Sequence, residues 1–310
     1  MGLGEVMRFG QTALLAGLSL ALVQPALAGG WNEQCDWFQN AAIGTRCAQS
    51  WSFNTGLSYD WYGYKNSSGN SVDEHYYPSF ELAVTPNSWL TVEFISEYGF
   101  DDHNWTYKGV SHSSSSSYAY RQILEANANL IDTGPGAQRY VVNVYGGGHI
   151  VPAHDGYDEQ TRVFGGLSAY GQWRLGSSGF SIDGRAHVEI DEGWGGYMNG
   201  LSPSNVFVYP SAQLLLSNDK AGIAAGPVLN TTQWLSTSAT GGVGSQSDYY
   251  ALGGTVIAQP FRSSQSALLN GIILQATAAE SIGQAGMVPS SVAKTSEVDV
   301  SGTVSFHFRY

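Results

Sequence analysis

From Trp51 onward the chain is a succession of short segments in which apolar and polar residues alternate, separated by turn residues. The last segment is the clearest. Val298, Val300, Val304, Phe306, Phe308 and Tyr310 share one face with Gly302, while Glu297, Asp299, Ser301, Thr303, Ser305, His307 and Arg309 share the other. A period of two with one greasy and one charged face is the mark of a strand between two different solvents. The same pattern predicts strands at 51–64, 72–84, 88–100, 118–131, 139–151, 161–175, 180–192, 204–217, 221–235, 248–261, 265–280 and 296–310. The ninth to eleventh are the least defined, because both faces of Ala251–Phe261 and Ala267–Ala276 are apolar or small.

The connections between these twelve segments alternate in length. The first of each alternating pair includes the long stretches Asp101–Ser117, Pro152–Gln160, Gly193–Pro203, Ser236–Ser247 and Ser281–Thr295. The others are tight: Thr85–Asn87, Gly176–Gly179, Asn218–Lys220 and Arg262–Ser264, with Asp132–Gln138 somewhat longer. Long loops on one side, short turns on the other and an even strand count are the rules of a bacterial transmembrane barrel. A soluble β-sandwich has no reason to alternate its loops. The expectation is all-β: an antiparallel up-and-down transmembrane β-barrel of twelve strands over 51–310.

Aromatic residues fit that expectation. Trp51, Phe53, Tyr59 and Trp61 fall on one face of the first strand, Tyr76 and Phe80 of the second, Tyr98 and Phe100 of the third, and Tyr118 and Tyr120 of the fourth. Rings near strand ends suit the lipid–water boundary. The C-terminal strand, ending on an aromatic residue, resembles that of the outer-membrane β-barrel proteins. Their usual last residue is Phe, where this chain has Tyr310. The resemblance implies a bacterial outer-membrane location. It also implies contact with lipid and lipopolysaccharide, and reading of the last strand by the barrel assembly machinery.

The N-terminal stretch reads differently. Arg8, the apolar run Thr12–Val23 and the small residues Ala26 and Ala28 form a signal-peptide pattern over 1–28, with cleavage after Ala28. The apolar run is too short to cross a bilayer as a helix. Residues 29–50 form a periplasmic segment holding both cysteines, Cys35 and Cys47. In an exported chain such a pair is expected to form a disulfide. It would close a loop of one or two helical turns. With Trp31, Trp37 and Phe38, this segment could tuck into the periplasmic mouth and narrow it.

Composition adds one exclusion. The chain carries 13 Lys+Arg against 25 Asp+Glu, a formal charge of −12. So acidic a protein is not expected to hold nucleic acid by its phosphates.

If the apolar face meets lipid, the other face lines the lumen. The second and third strands then contribute Asp73, His75, Glu81, Glu93 and Glu97, and the fourth Arg121 and Glu125. The sixth gives Arg162 and Arg174, with Tyr170 and Gln172 between them. The seventh gives Asp183, Arg185, His187, Glu189 and Asp191, and the last Glu297, Asp299, His307 and Arg309. An acidic arc from strand twelve to three faces an arginine-bearing arc from four to seven, and strands eight to eleven are nearly uncharged. An Arg on the lipid face near mid-bilayer costs about 2–4 kcal/mol, which places the arginines inside. The candidate pore-lining residues are Glu93, Glu97, Arg121, Arg162, Arg174, Arg185, His187, Glu189, Glu297 and Asp299. These charges either flank a water-filled pore or pair across it and fill it. Twelve strands lie between the filled eight and the open sixteen.

No enzyme is expected. The sequence has no G-x-S-x-G and no H-E-x-x-H. Neither His149 nor His154 is followed by the Ser-Asn pair expected of a barrel phospholipase. His112–Ser113 opens a serine run that reads as loop. His154, Asp155, Asp158 and Glu159, and likewise Asp101–His103, are acidic enough to attract a cation but follow no calcium-loop spacing. No cofactor is expected. The favoured function is a passive outer-membrane channel for small or oligomeric polar solutes, resembling the narrow twelve-stranded uptake channels in layout. A homo-oligomer or an envelope-complex partner is compatible with it. The alternatives are a structural or partner-binding barrel, such as part of an envelope or exopolysaccharide export assembly, and a lipid-acting barrel enzyme.

Overall fold

The computed structural model describes residues 36–66, 69–134, 136–152, 160–195, 205–234, 248–285 and 293–309. The signal-peptide segment, Cys35, Tyr310 and the acidic loop around His154 lie outside them. The wall is built from β1 (Ser50–Asn66), β2 (Gly69–Asn87), β3 (Leu90–Tyr107), β4 (Val110–Asp132), β5 (Gln138–Val151) and β6 (Gln160–Arg174). It continues through β7 (Phe180–Gly195), β8 (Asn205–Asn218), β9 (Ile223–Trp234), β10 (Asp248–Ala258), β11 (Ile272–Ala285) and β12 (Ala293–Arg309). Each strand pairs with its sequence neighbours, and β12 returns to β1, closing a twelve-stranded antiparallel barrel. Closure runs from Ser50 opposite Arg309 to Lys65 opposite Ala293. It leaves no sheet edge, so every strand has a partner on both sides.

Alternation along the strands gives the two faces their chemistry. On β1 the inward residues Ser50, Ser52 and Asn54 are buried, while Trp51 and Leu57 are exposed on the outside. The outward set continues with Leu82, Phe94, Leu124, Leu167, Val188, Leu214, Leu216, Leu229, Leu252, Val256, Leu274, Val300 and Phe308, all exposed. A continuous apolar band of this kind is unfavourable in water and favourable against hydrocarbon. Trp51, Phe308, Tyr140, Trp173 and Phe180 gather near the end of the barrel where the chain enters, with Trp173 Nε1 donating to Tyr140 Oη at 3.1 Å. Tyr59, Tyr76, Tyr98 and Phe100 lie toward the other end.

Three expectations need correcting. Asp101–Ser117 is not a long loop: β3 and β4 run on to a two-residue turn at Lys108 and Gly109, paired down to Tyr107 opposite Val110. Both turn residues have positive φ, 48° and 77°, the geometry that suits the twist of a tight hairpin. The serines of β4 give no apolar alternation because this part of the hairpin stands in water and has no greasy face to make. Second, the β10–β11 connection is longer than a turn. It spans 259–271 and holds the helical turn α2 (Ala267–Asn270), capped by the Ser266 hydroxyl, so β11 starts at Ile272. Third, Tyr118 and Tyr120 face inward. The β3–β4 ladder shifts register between Glu97 and Tyr98. A bulge of this sort re-aims side chains, and Tyr120 comes to lie 4.7 Å from the ring of Tyr77 inside the barrel.

Candidate functional site

The chain enters the barrel through α1 (Trp37–Ile43), the helix expected from the segment between the cysteines. Asp36 caps its start, accepting from the Gln39 amide at 3.1 Å. Gly44 ends it in the left-handed region, φ 74°, and the Thr45 amide donates back to Asn40 O at 2.8 Å. That is the usual closure of a helix by glycine. The Tyr170 ring packs directly on Gly44, in the space a Cβ would need. Seven residues make too few internal hydrogen bonds to hold a helix in water. What holds α1 is the barrel around it.

Phe38 is the anchor. It is fully buried and packs on Leu215 of β8, Ala224 of β9, Ile257 of β10 and Ile273 of β11. Burying one such ring contributes about 1.5–3 kcal/mol. Polar contacts surround it. Arg262 grips Asp36 with Nη1 and Nη2 at 2.7 and 2.5 Å, its guanidinium 5.3 Å from the Phe38 ring centroid. Gln39 Nε2 donates to Asp219 at 2.8 Å, and Arg174 Nη2 donates to Gln39 Oε1 at 3.1 Å. Arg185 donates to the carbonyls of Ala42, at 3.0 Å, and Ala41. A cation there meets the last carbonyls and the negative end of the helix. Arg139 Nη1 reaches Asn40 at 3.4 Å while its other nitrogens hold Asp132. On the opposite wall Arg46 bridges Glu81 and Glu93 at 2.9 and 3.0 Å. Trp37 stacks on His307, centroids 5.2 Å apart. The helix and its linker thus touch the wall on several sides at the end where β1 begins.

Solvent reaches part of the wall just beyond the helix, whereas Thr255, the inward residue next above Ile257 on β10, stays buried. On β7 the inward residue next above Arg185 is His187, which is exposed and lies 2.7 Å from the Ser211 hydroxyl. On β11 the inward residue next above Ile273 is Gln275, also exposed. Ion pairs line the wall at higher levels: Arg121 pairs with Glu97 through both Nε and Nη2. His75 and Asp101 meet at 2.6 Å, and His103 pairs with Asp73.

No family model matches the chain, and no curated protein matches it. Among solved structures, an outer-membrane channel from Pseudomonas putida F1 aligns with a TM-score of 0.52 and 10% identity, over 84% of this chain and 97% of that one. The transport unit of the autotransporter AIDA-I from Escherichia coli aligns with a TM-score of 0.44 and 10% identity, over 95% and 97%. The translocator domain of the autotransporter NalP from Neisseria meningitidis gives 0.40 and 10%, over 88% and 94%. At such identities the likeness is one of fold, and that to the Pseudomonas putida barrel agrees with the apolar outer band. The chain is a bacterial outer-membrane β-barrel. The end at which β1 begins and β12 stops, with α1 in its mouth, is the periplasmic end by the rule for such barrels.

The outer-membrane barrel sorts the sequence-predicted lumen residues into two levels. Glu93, Arg174 and Arg185 lie low and hold α1 or its linker. Glu97, Arg121, Arg162, His187, Glu189 and Asp299 lie higher, all on the inward face. Arg162 stands opposite His149 in the β5–β6 register, and Asp299 opposite Asp60 between β12 and β1. The Glu297 side chain lies outside the described residues, as does the Cys35 partner expected for Cys47. Cys47 itself is buried and receives a hydrogen bond from Asn40 Nδ2 at 3.1 Å. Asp101–Asp102–His103 does not act as one cluster, because strand alternation turns Asp102 outward. No group of three or more potential metal ligands occurs among the described residues. Sequence reasoning missed Arg139, Arg262, Asp219 and Arg46 as site residues. Arg139 was detectable, since it shares the inward parity of Asn143 and His149 on β5; Arg262 and Asp219 lie in turns, where alternation carries no direction.

Proposed function

We propose that this barrel is a passive channel for small or oligomeric polar solutes, with a water-filled vestibule open to the outside and an exit narrowed by α1. The observation that carries the reading is the exposure of His187 and Gln275, inward-facing residues on different strands immediately above the helix. A lumen filled by its own side chains would bury both. The charged wall from β2 to β7, with Glu97, Arg121, Arg162 and Glu189, would offer solutes exchangeable hydrogen bonds. The Pseudomonas putida barrel, itself a channel, supports the reading by analogy of fold. The reading assigns the barrel no reaction. Outer-membrane lipid and lipopolysaccharide around the belt, and the assembly machinery at the C-terminal strand, are its expected partners.

The test is efflux of small polar solutes from liposomes carrying the refolded full chain. Release above protein-free liposomes is expected, with the balance between anionic and cationic solutes shifted toward cations in Arg162→Gln. A folded barrel that releases nothing would sink the channel. One pair of features favours a partner-binding barrel in that event: α1 in the mouth, and the β3–β4 hairpin, whose exposed residues Tyr107–Ser115 project as a surface.

A further inference from the structure

Helix α1 sits in the barrel but is no part of its wall. The wall closes between β1 and β12 without it. Among the described residues, the backbone-to-backbone hydrogen bonds of α1 stay within residues 36–45. The helix could therefore leave without breaking one bond of the ladder. Its apolar hold is narrow: Phe38, Ala42 and Ile43 are its buried residues. Trp37 and Ala41 pack partly against the same seat and Trp37 stacks on His307; the remaining holds are hydrogen bonds and ion pairs that water can replace.

We propose that α1 is a releasable gate, latched in the periplasmic mouth by arginines and swung out together with residues 44–47 about Ala48–Gln49. The inference rests on the channel reading. The latch is spread along the segment. Arg262 holds its start through Asp36, Arg174 and Asp219 its middle through Gln39, and Arg185 its end through the carbonyls. Arg46 then ties the linker to Glu81 and Glu93. Each of these polar contacts contributes only modestly on its own, because water takes the partner's place when the helix leaves. A plug meant to be permanent would be expected to present a broad apolar face instead. The end of the linker has the form of a hinge. Residues 44–47 are tied to α1 through Asn40, so the pivot lies at Ala48–Gln49, where Gln49 has a positive φ of 53°; few-residue segments of this kind absorb the dihedral changes of a swing. The seat left behind is small: Leu215, Ala224, Ile257 and Ile273.

The test is single-channel recording of the full chain in planar bilayers, with folding checked by heat-modifiable gel mobility. Gln39→Ala removes the middle of the latch and Arg262→Gln its start; Lys108→Ala, in the outer turn, serves as control. Each latch variant should raise open probability by about tenfold, the shift expected for losing one contact to a charged group. The conductance of the open state should stay the same, and the control should match the wild type. Equal open probability in all four proteins would overturn the gate while leaving the channel standing. Silence of every folded variant would overturn both.

Discussion

The inner wall has two unlike arcs. From β2 to β7 it carries Glu81, Glu93, Glu97, Arg121, Glu125, Arg162, Arg174, Asp183, Arg185 and Glu189. From β8 to β11 the described inward residues, such as Leu215, Ala224, Val228, Ala251, Thr255, Ile257, Ile273, Thr277 and Ala279, are uncharged. Each arc supplies what the other cannot. The uncharged arc offers a dry apolar surface, and Phe38 uses its lower end as a seat. The charged arc offers arginines long enough to reach the helix from across the mouth. The plug is thus placed by an apolar contact with the uncharged arc and oriented by polar contacts from the charged arc and from the turns at Asp219 and Arg262.

The comparison breaks most sharply at the seat. Phe38→Ala should weaken the hold on α1 by about 3–5 kcal/mol, the usual cost of emptying a core aromatic site. Because the wall closes without the helix, hydrogen exchange should speed up in residues 36–49 and stay slow in the strands. Loss of protection throughout the barrel would mean that α1 is part of the fold and not an insert.

A somewhat smaller effect sharpens the assignment of faces in the uncharged arc. Leu252 points outward and Thr255 inward on β10. Leu252→Arg should cost about 2–4 kcal/mol in reversible unfolding from lipid, and less toward the interface. Gln275→Arg, at the exposed inward position on neighbouring β11, should cost much less, since its head can reach the aqueous lumen. Similar losses for both would show that the uncharged arc is not lined by water.

The sequence made the charged arc legible and the uncharged arc only partly so. Glu189, Arg185 and Asp183 alternate with apolar neighbours, so one strand-level rule points all three inward, as found. On β10, Ala251, Thr255 and Ile257 alternate with Leu252 and Val256, and neither set is polar enough to name the wet face. Direction there comes from closure of the barrel and from Phe38, a residue more than 200 positions away. No local pattern joins the two halves of that contact. The tall β3–β4 hairpin was hidden for the opposite reason: Ser113–Ser117 is polar on both faces because water lies on both. The inward turn of Tyr120 depends on a register shift, which alternation in a single strand does not report. Strand number, the closing pair and the helix near the cysteines were all readable. The arginine contacts from the turns were not, since they depend on where the turns bring Arg262 and Asp219.

The central claim is a lumen that is wet above α1 and closed at its level. The most direct measurement is labelling of single introduced thiols, His187→Cys, Gln275→Cys, Leu215→Cys and Ile273→Cys, by a membrane-impermeant thiol reagent added from outside. The account predicts rapid labelling at 187 and 275, and little at 215 and 273, where Phe38 covers the wall. Labelling at none of the four would mean a filled lumen, and equal labelling at all four would mean that no helix seals the mouth; either would contradict it.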